Sequence, residues 1–336
     1  MAKLHKISLG SESFHARSGQ RLLDAALLGG VDLPHDCRAG RCGSCLTRVR
    51  AGITLGGETR QPGMVHACQA MVFSDLALEL EPLPPVTRVR AKVTKLVEIA
   101  EDIVEVTIEP AQMIELLPGQ YCRFRFRGYP ARPFSPTARL DSLQADGNIR
   151  LQVKRVRGGR VTPELGRGIQ QGHAVGIEGP FGHAFLRPGL GKRLVLVGSG
   201  TGFAPVWAVA AAALRENPAR PMALIAASRK AAAFYMTPAL AQLSRHANVT
   251  ATATIDEPAP VRHLHSSGFS PGRALDNLPL LDADDIVYAA GSPTLVGAIG
   301  DAAEAVGALF YADPFEPASP SKPRWIDSAK AWLQAG

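Results

Sequence analysis

Aromatic residues make up only 6% of this 336-residue chain, and cysteines number five. The 37 Lys and Arg are scattered, and no basic block is interleaved with aromatics. The net charge of +7 and a pI near 9.3 therefore do not read as a nucleic-acid surface. They fit a solvated exterior, arginines for a phosphate-bearing cofactor and contact with an acidic partner protein. No long apolar run is present: the longest, around residues 203–214, falls short of a membrane span. The opening MAKLHKISLG lacks the apolar core of an export signal. These absences predict a cytoplasmic protein that engages neither nucleic acid nor membrane. No disulfide framework is left to propose either, because four of the five cysteines form a pattern of their own.

That pattern is Cys37, Cys42 and Cys45 in CRAGRCGSC, followed at a distance by Cys68 in HACQA. C-x4-C-x2-C…C is the plant-type arrangement of thiolates around a [2Fe–2S] cluster. Three ligands in one short loop wrap one side of the cluster, and a fourth from a separate segment closes the other. Gly40 and Gly43 allow positive φ and leave no side chain over the sulfides. A structural zinc site is the alternative, but zinc usually takes two short Cys/His pairs, and only Cys42 and Cys45 form one. Cys122, between Tyr121 and Phe124 in a strand-like run, reads as a core residue.

With 46% hydrophobic and 20% charged residues, the chain has room for two or three domains. Residues 1–84 begin with a hairpin (KISLG, FHARS), continue with a short helix stopped at Gly29 and Gly30, and close on the strand LALELEP. Pro82, Pro84 and Pro85 mark a linker. Residues 88–187 alternate through RVRAKVTKLVEI, IVEVTIEP, QYCRFRFRG, NIRLQVKRV and HAVGIEGP, which predicts a small antiparallel barrel. From 190 to 316, buried strands (RLVLVG, PMALIAAS, NVTATATI, DIVYAAG) alternate with helical segments, the signature of a parallel α/β sheet. A tail, 317–336, places Trp325, Ala329, Trp332 and Leu333 on one helical face, suited to capping the protein's own surface or to docking a partner.

In the barrel, Arg132, Phe134 and Ser135 can clamp a flavin, with the guanidinium on pyrophosphate, the ring on the isoalloxazine and the hydroxyl near N5. Val153 and Lys154 end a strand that leads through Gly159 and Val161 to a helix start at Thr162-Pro163, where free N–H groups suit phosphate. Gly198, Gly200, Thr201 and Gly202 lie between a strand and a helix, where glycines let the backbone approach a dinucleotide. Gly291 ends DIVYAAG at the same sheet edge.

Taken in order, these motifs resemble the three-domain reductase components of bacterial aromatic-ring-hydroxylating (Rieske-type) oxygenases over residues 1–316. The resemblance implies an N-terminal plant-type ferredoxin (β-grasp), an antiparallel flavin-binding β-barrel and a parallel α/β nucleotide-binding domain. It implies a [2Fe–2S] cluster on the four cysteines, FAD in the barrel and NADPH or NADH on the third domain. Tyr311–Phe315 resembles the family's terminal acidic–x–aromatic segment, which makes Phe315, with Ser135, a residue at the flavin face. Three positions depart from the pattern: Phe134 stands for the usual Tyr, Ser199 for a third glycine, and Ala290 for the Cys before Gly-x-Pro.

Ser228, Arg229 and Lys230 at a strand end, with no acid nearby in sequence, favour the 2′-phosphate of NADPH. His263 and His265 form H-x-H without a further ligand at metal spacing. Nicotinamide delivers an electron pair and the cluster accepts single electrons, so a flavin stands between them. The implied acceptor is a terminal oxygenase, with a Rieske-type dioxygenase first and a diiron monooxygenase or cytochrome P450 next. An electron-carrier subunit that never oxidises NAD(P)H is the reading from a different class, kept open by Ala290.

Overall fold

The computed structural model describes residues 3–40, 43–187, 192–256 and 272–315. Arg41, Cys42, His263, His265 and the 317–336 tail lie outside them.

The N-terminal sheet has the order β2-β1-β7-β3-β5, from β1 (Leu4–Leu9), β2 (Glu12–Arg17), β3 (Leu46–Ala51), β5 (Met64–His66) and β7 (Leu76–Glu79). β4 (Thr54–Leu55) and β6 (Met71–Val72) pair separately. The predicted hairpin is present, with Ile7 opposite Phe14, and β7 joins β1 in parallel. Helix α1 (Leu22–Leu28) turns Leu22, Leu23, Ala25 and Ala26 onto this sheet. It ends at Gly29, and Gly30 takes φ +78°, the left-handed turn only glycine makes cheaply. Their core includes Ile7, Phe14, Leu33 and Val72, and also Cys45 and Cys68.

The second sheet is antiparallel throughout, in the order β11-β10-β13-β8-β9-β12. Its strands are β8 (Thr87–Ala100), β9 (Ile103–Pro110), β10 (Tyr121–Phe126), β11 (Arg132–Phe134), β12 (Ile149–Lys154) and β13 (Ala174–Phe181). A bridge from Thr137, just past β11, to Arg150 on β12 brings the two ends together into a barrel. Period-two alternation puts Val93, Val106, Phe124, Leu151 and Ile177 inside. Cys122 is fully buried, as expected, and burial pushes its thiol up to about 12.

The third sheet, order β16-β15-β14-β17-β18, is wholly parallel. It comprises β14 (Leu194–Ser199), β15 (Met222–Ser228), β16 (Val249–Ile255), β17 (Ile286–Gly291) and β18 (Leu309–Pro314). The helices are α2 (Phe203–Glu216), α3 (Thr237–Leu243), α4 (Gly272–Asp276) and α5 (Pro293–Ala305). The alanine-rich α2 is buried on nearly every side, because small residues let it pass between the sheet and the barrel. The chain reverses direction across the sheet between β14 and β17, so the crevice at their C-terminal ends is the topological switch point. Among the described residues, no helix is long and apolar enough to cross a membrane.

Candidate electron-transfer site

Around the cysteine loop, backbone conformation is set for a curved path: Arg38, Gly40 and Gly43 have φ of +54°, +71° and +70°. A Cβ on Gly40 would sit 2.9 Å from Gln69 Cγ, so the position excludes a side chain. Cys45 and Cys68 are buried together, close enough for their thiols to hydrogen-bond, while Cys37 lies exposed. Burial first, and then its neighbours Cys68 and Cys37, push the Cys45 thiol up to about 12. Such crowding of thiols is unfavourable unless a cation shares them. Donors already face sulfur: the Ala39 N–H points at Cys37 Sγ (3.4 Å) and Gln69 Nε2 at Cys68 Sγ (3.5 Å). Gln69 Nε2 also donates to Arg38 O at 2.9 Å, tying the loop to the Cys68 segment. The described part of the donor set fits a thiolate-ligated cluster.

On the barrel, Arg132 and Phe134 are half-buried on β11, and the Phe134 ring lies 6.1 Å from Phe124. Val153 faces the core and offers a cofactor only its backbone, whereas Lys154 is exposed. The predicted helix start is a single 3-10 turn, Thr162–Glu164, capped by no side chain. Thr162 Oγ1 instead accepts the Val156 N–H at 2.9 Å, closing the loop that Gly159 turns.

At the switch point, a Cβ on Gly202 would come within 2.4 Å of Gly291 Cα, and one on Gly291 (φ +114°) within 2.3 Å of Ser199 Oγ. Ser199, the apparent departure, has a structural reason: its Oγ accepts the Ser292 N–H at 2.9 Å and joins the two glycine loops. Phe315 is brought to the same edge by its N–H to Gly291 O, 2.7 Å.

One hydrogen bond joins the two halves at the predicted flavin face. Ser135 Oγ donates to Asp313 Oδ2 at 3.1 Å across the boundary between barrel and third sheet. Burial pushes the Asp313 carboxyl up to about 6, against the opposing pull of Ser135.

Comparison with known proteins matches three family models in the same order. Residues 7–73 match a 2Fe-2S iron-sulfur cluster binding domain, 90–185 an oxidoreductase FAD-binding domain and 196–301 an oxidoreductase NAD-binding domain. The chain is 31% identical over 297 residues to the ferredoxin–NAD(+) reductase component of an alkene monooxygenase system from Xanthobacter autotrophicus, covering 84% of this chain and 90% of that one. It belongs to the ferredoxin–NAD(P)+ reductase components of oxygenase systems. A Ralstonia reductase component of naphthalene 1,2-dioxygenase/salicylate 5-hydroxylase systems is 30% identical, over 90% of this chain and 95% of that one. Among solved structures, a cytochrome P450 reductase from Amycolatopsis is 27% identical with a TM-score of 0.66, covering 94% of this chain and all of that one. The protein is thus an NAD(P)H-dependent flavin iron–sulfur oxidoreductase, which removes both the zinc and the electron-carrier readings.

Sequence reasoning named the Tyr311–Phe315 segment but singled out Phe315, and left aside the acid that touches Ser135. It also found no acid near Ser228, yet the pairing of Ser228 with Ile255 sets Asp256 beside it, with the Asp256 N–H on Ser228 O at 3.0 Å. Only the register of two strands could have exposed that neighbour. Lys230 lies 3.7 Å from Glu101 of the barrel, while Arg229 is exposed at the end of β15.

Proposed function

We propose that this reductase serves a Rieske-type aromatic-ring dioxygenase in the cytoplasm, and that the residues named above hold its cofactors. The Ser135–Asp313 hydrogen bond is the observation that carries the site assignment, because it joins the flavin strand to the nucleotide edge. When bound, a flavin takes the electron pair of a hydride and releases it one electron at a time to the cluster. Arg132 would neutralise pyrophosphate and Phe134 would cover one ring face. The Gly198–Gly202 and Gly291 loops would receive the dinucleotide, and Cys37, Cys42, Cys45 and Cys68 would bind the cluster. Ionised Asp313 accepts a proton from Ser135 Oγ, and Ser135 can take one in turn from the flavin side. Ser135 is buried and the bond to Asp313 part-buried, which limits the access of water to the exchange. Arg38, half-exposed on the cluster loop, would meet the acceptor.

Anaerobic titration with NADPH, then with NADH, tests the relay. Loss of the flavin band together with the cluster's visible absorption is expected; a cluster band with an unbleached flavin refutes the assignment. Arg229 supports NADPH, with Asp256 as the competing acid. Arg229→Asp should raise KM for NADPH far more than for NADH, and equal effects reject the preference. A monooxygenase acceptor is the second reading, favoured by the alkene monooxygenase relative. Reduction rates with a purified Rieske protein and a purified monooxygenase would separate the two.

A further inference from the structure

All three units meet on one guanidinium, that of Arg187 in the segment after β13. Its side chain is 8% exposed and is pressed between the rings of Phe185 (3.5 Å) and Tyr311 (4.2 Å). Its N–H groups reach Glu81 Oε1 and Oε2 at 2.8 and 2.9 Å, His183 Nδ1 at 2.8 Å and Phe185 O at 2.7 Å. Glu81 belongs to the stretch after β7 and Tyr311 to β18 of the third sheet, so each partner comes from a different unit. Although burial opposes ionisation, His183 and Arg187 hold the Glu81 carboxyl below its usual range.

Two further contacts give the node its direction. On one side, a Cβ on Gly43 of the cysteine loop would sit 3.0 Å from His183 Cβ, and the Gly182 N–H reaches Ser44 Oγ at 3.1 Å. On the other, Tyr311 lies two residues before Asp313 on one strand, and so on the same side of the sheet. Arg187 therefore touches the supports of both the cluster loop and the Ser135–Asp313 pair.

We propose that Arg187 is a positioning residue for electron transfer from flavin to cluster, fixing their separation by clasping Glu81, His183 and Tyr311 together. The proposal rests on the reductase reading. A buried ion cluster is a poor source of net stability, but it selects one orientation over others that bury the same area. Arginine suits the task because its planar fork donates in several directions while both faces stack, which a lysine cannot do. No bond changes at Arg187: the electron pair delivered as hydride leaves the flavin as two single electrons, and the clasp sets how far each must travel.

The test compares the holoenzyme with Arg187→Lys and Arg187→Met by rapid mixing with NAD(P)H, following flavin and cluster bands as separate phases. The flavin phase should be unchanged and the cluster phase slowed severalfold, because an electron-transfer rate falls exponentially as donor and acceptor move apart. Hydrogen exchange, which needs no nucleotide, should show Ser44, Gly182 and residues 309–313 losing protection together. Should neither variant fold, Glu81→Gln breaks the same ion pair with its shape kept and should give the same split. A cluster phase at the wild-type rate, or equal slowing of both phases, overturns the proposal. Absence of the flavin phase in the wild type would instead overturn the reductase reading, while the exchange pattern would still decide the role of Arg187.

Discussion

The barrel and the nucleotide sheet share a core, whereas the ferredoxin unit is held to both mainly by charge. In the first seam, Ile103, Leu140 and Leu186 of the barrel side pack in one cluster with Phe203, Val206 and Trp207 of α2. Neutral hydrogen bonds stitch its edge: Thr137 Oγ1 to Ala204 O (2.7 Å), Trp207 Nε1 to Arg139 O (2.8 Å), Tyr235 OH to Gln152 Oε1 (2.8 Å) and Tyr288 OH to Phe185 O (2.8 Å). Among the described residues, the ferredoxin core contains only its own. Its outward contacts include those of charged groups, Asp36 with Arg123 and Tyr121, Arg60 with Asp301 and Glu304, and Glu81 with Arg187. A shared apolar core makes two units unfold as one, while ion pairs fix orientation with little net stability. A reductase gains from that division, since its flavin must meet nucleotide in a rigid crevice and its cluster must also serve another protein.

Trp207→Ala attacks the first seam where it is densest. Trp207 is fully buried, so its truncation should cost about 3–5 kcal/mol. Thermal unfolding should show barrel and nucleotide unit losing structure together at a lower midpoint, with the cluster's visible band persisting to higher temperature. Collapse of all signals at one temperature would mean that the ferredoxin seam is as cooperative as the other.

Asp313 provides a pH probe of the same seam. Its carboxyl rises from 3.8 to about 6 on folding, so the folded chain binds this proton more tightly than the unfolded one. The stability it contributes is complete below about pH 4 and is lost as pH rises through about 6. Asp313→Asn should flatten that decline in the melting temperature between pH 4 and 7. It should also slow reoxidation of the flavin and abolish its fall on the acid side, because Asn cannot accept the proton. An unaltered pH profile would place the titrating group elsewhere.

Asp36→Asn probes the second seam away from Arg187, at another buried acid. Asp36 is 8% exposed, but its partner Arg123 is 39% exposed and can recover water. The loss should be about 1–2 kcal/mol, less than for a wholly buried pair. Hydrogen exchange should rise at Tyr121 and in the cysteine loop, and stay constant in α2.

Most of the architecture was legible because it is written locally. Cysteine spacing, period-two runs and Gly-rich βα turns each specify their element within a dozen residues, and the observed strands fall where those patterns stand. The seams were not legible, because Glu81, Asp36 and Arg60 look like ordinary surface charges until distant chain segments arrive. Asp313 lay in a recognised segment, yet only the approach of β11 shows which of its five residues meets Ser135. Thr162 misled for the opposite reason: a good local capping signal was outcompeted by the Val156 amide, which left a turn instead of a helix.

Arg60 gives the smallest effect and the sharpest contrast. Its guanidinium donates to Glu304 and to Asp301 (2.6 Å) on α5, and Gln61 Nε2 reaches Phe310 O at 3.3 Å. All three charged side chains are well exposed, at 38%, 56% and 73%, so Arg60→Ala should cost less than about 1 kcal/mol. The melting temperature should barely move. Arg60→Glu is different in kind, because it sets a third negative charge against two and turns a weak attraction into repulsion. That repulsion is screened within about 3 Å at 1 M salt. Exchange protection at residues 59–61 and along α5 should therefore fall in Arg60→Glu at low salt and recover at high salt. In the wild type the same salt should loosen these segments while leaving α2 untouched. If salt moved α2 as well, the charge-held and core-held seams would be a single interface, and the contrast between them would fail.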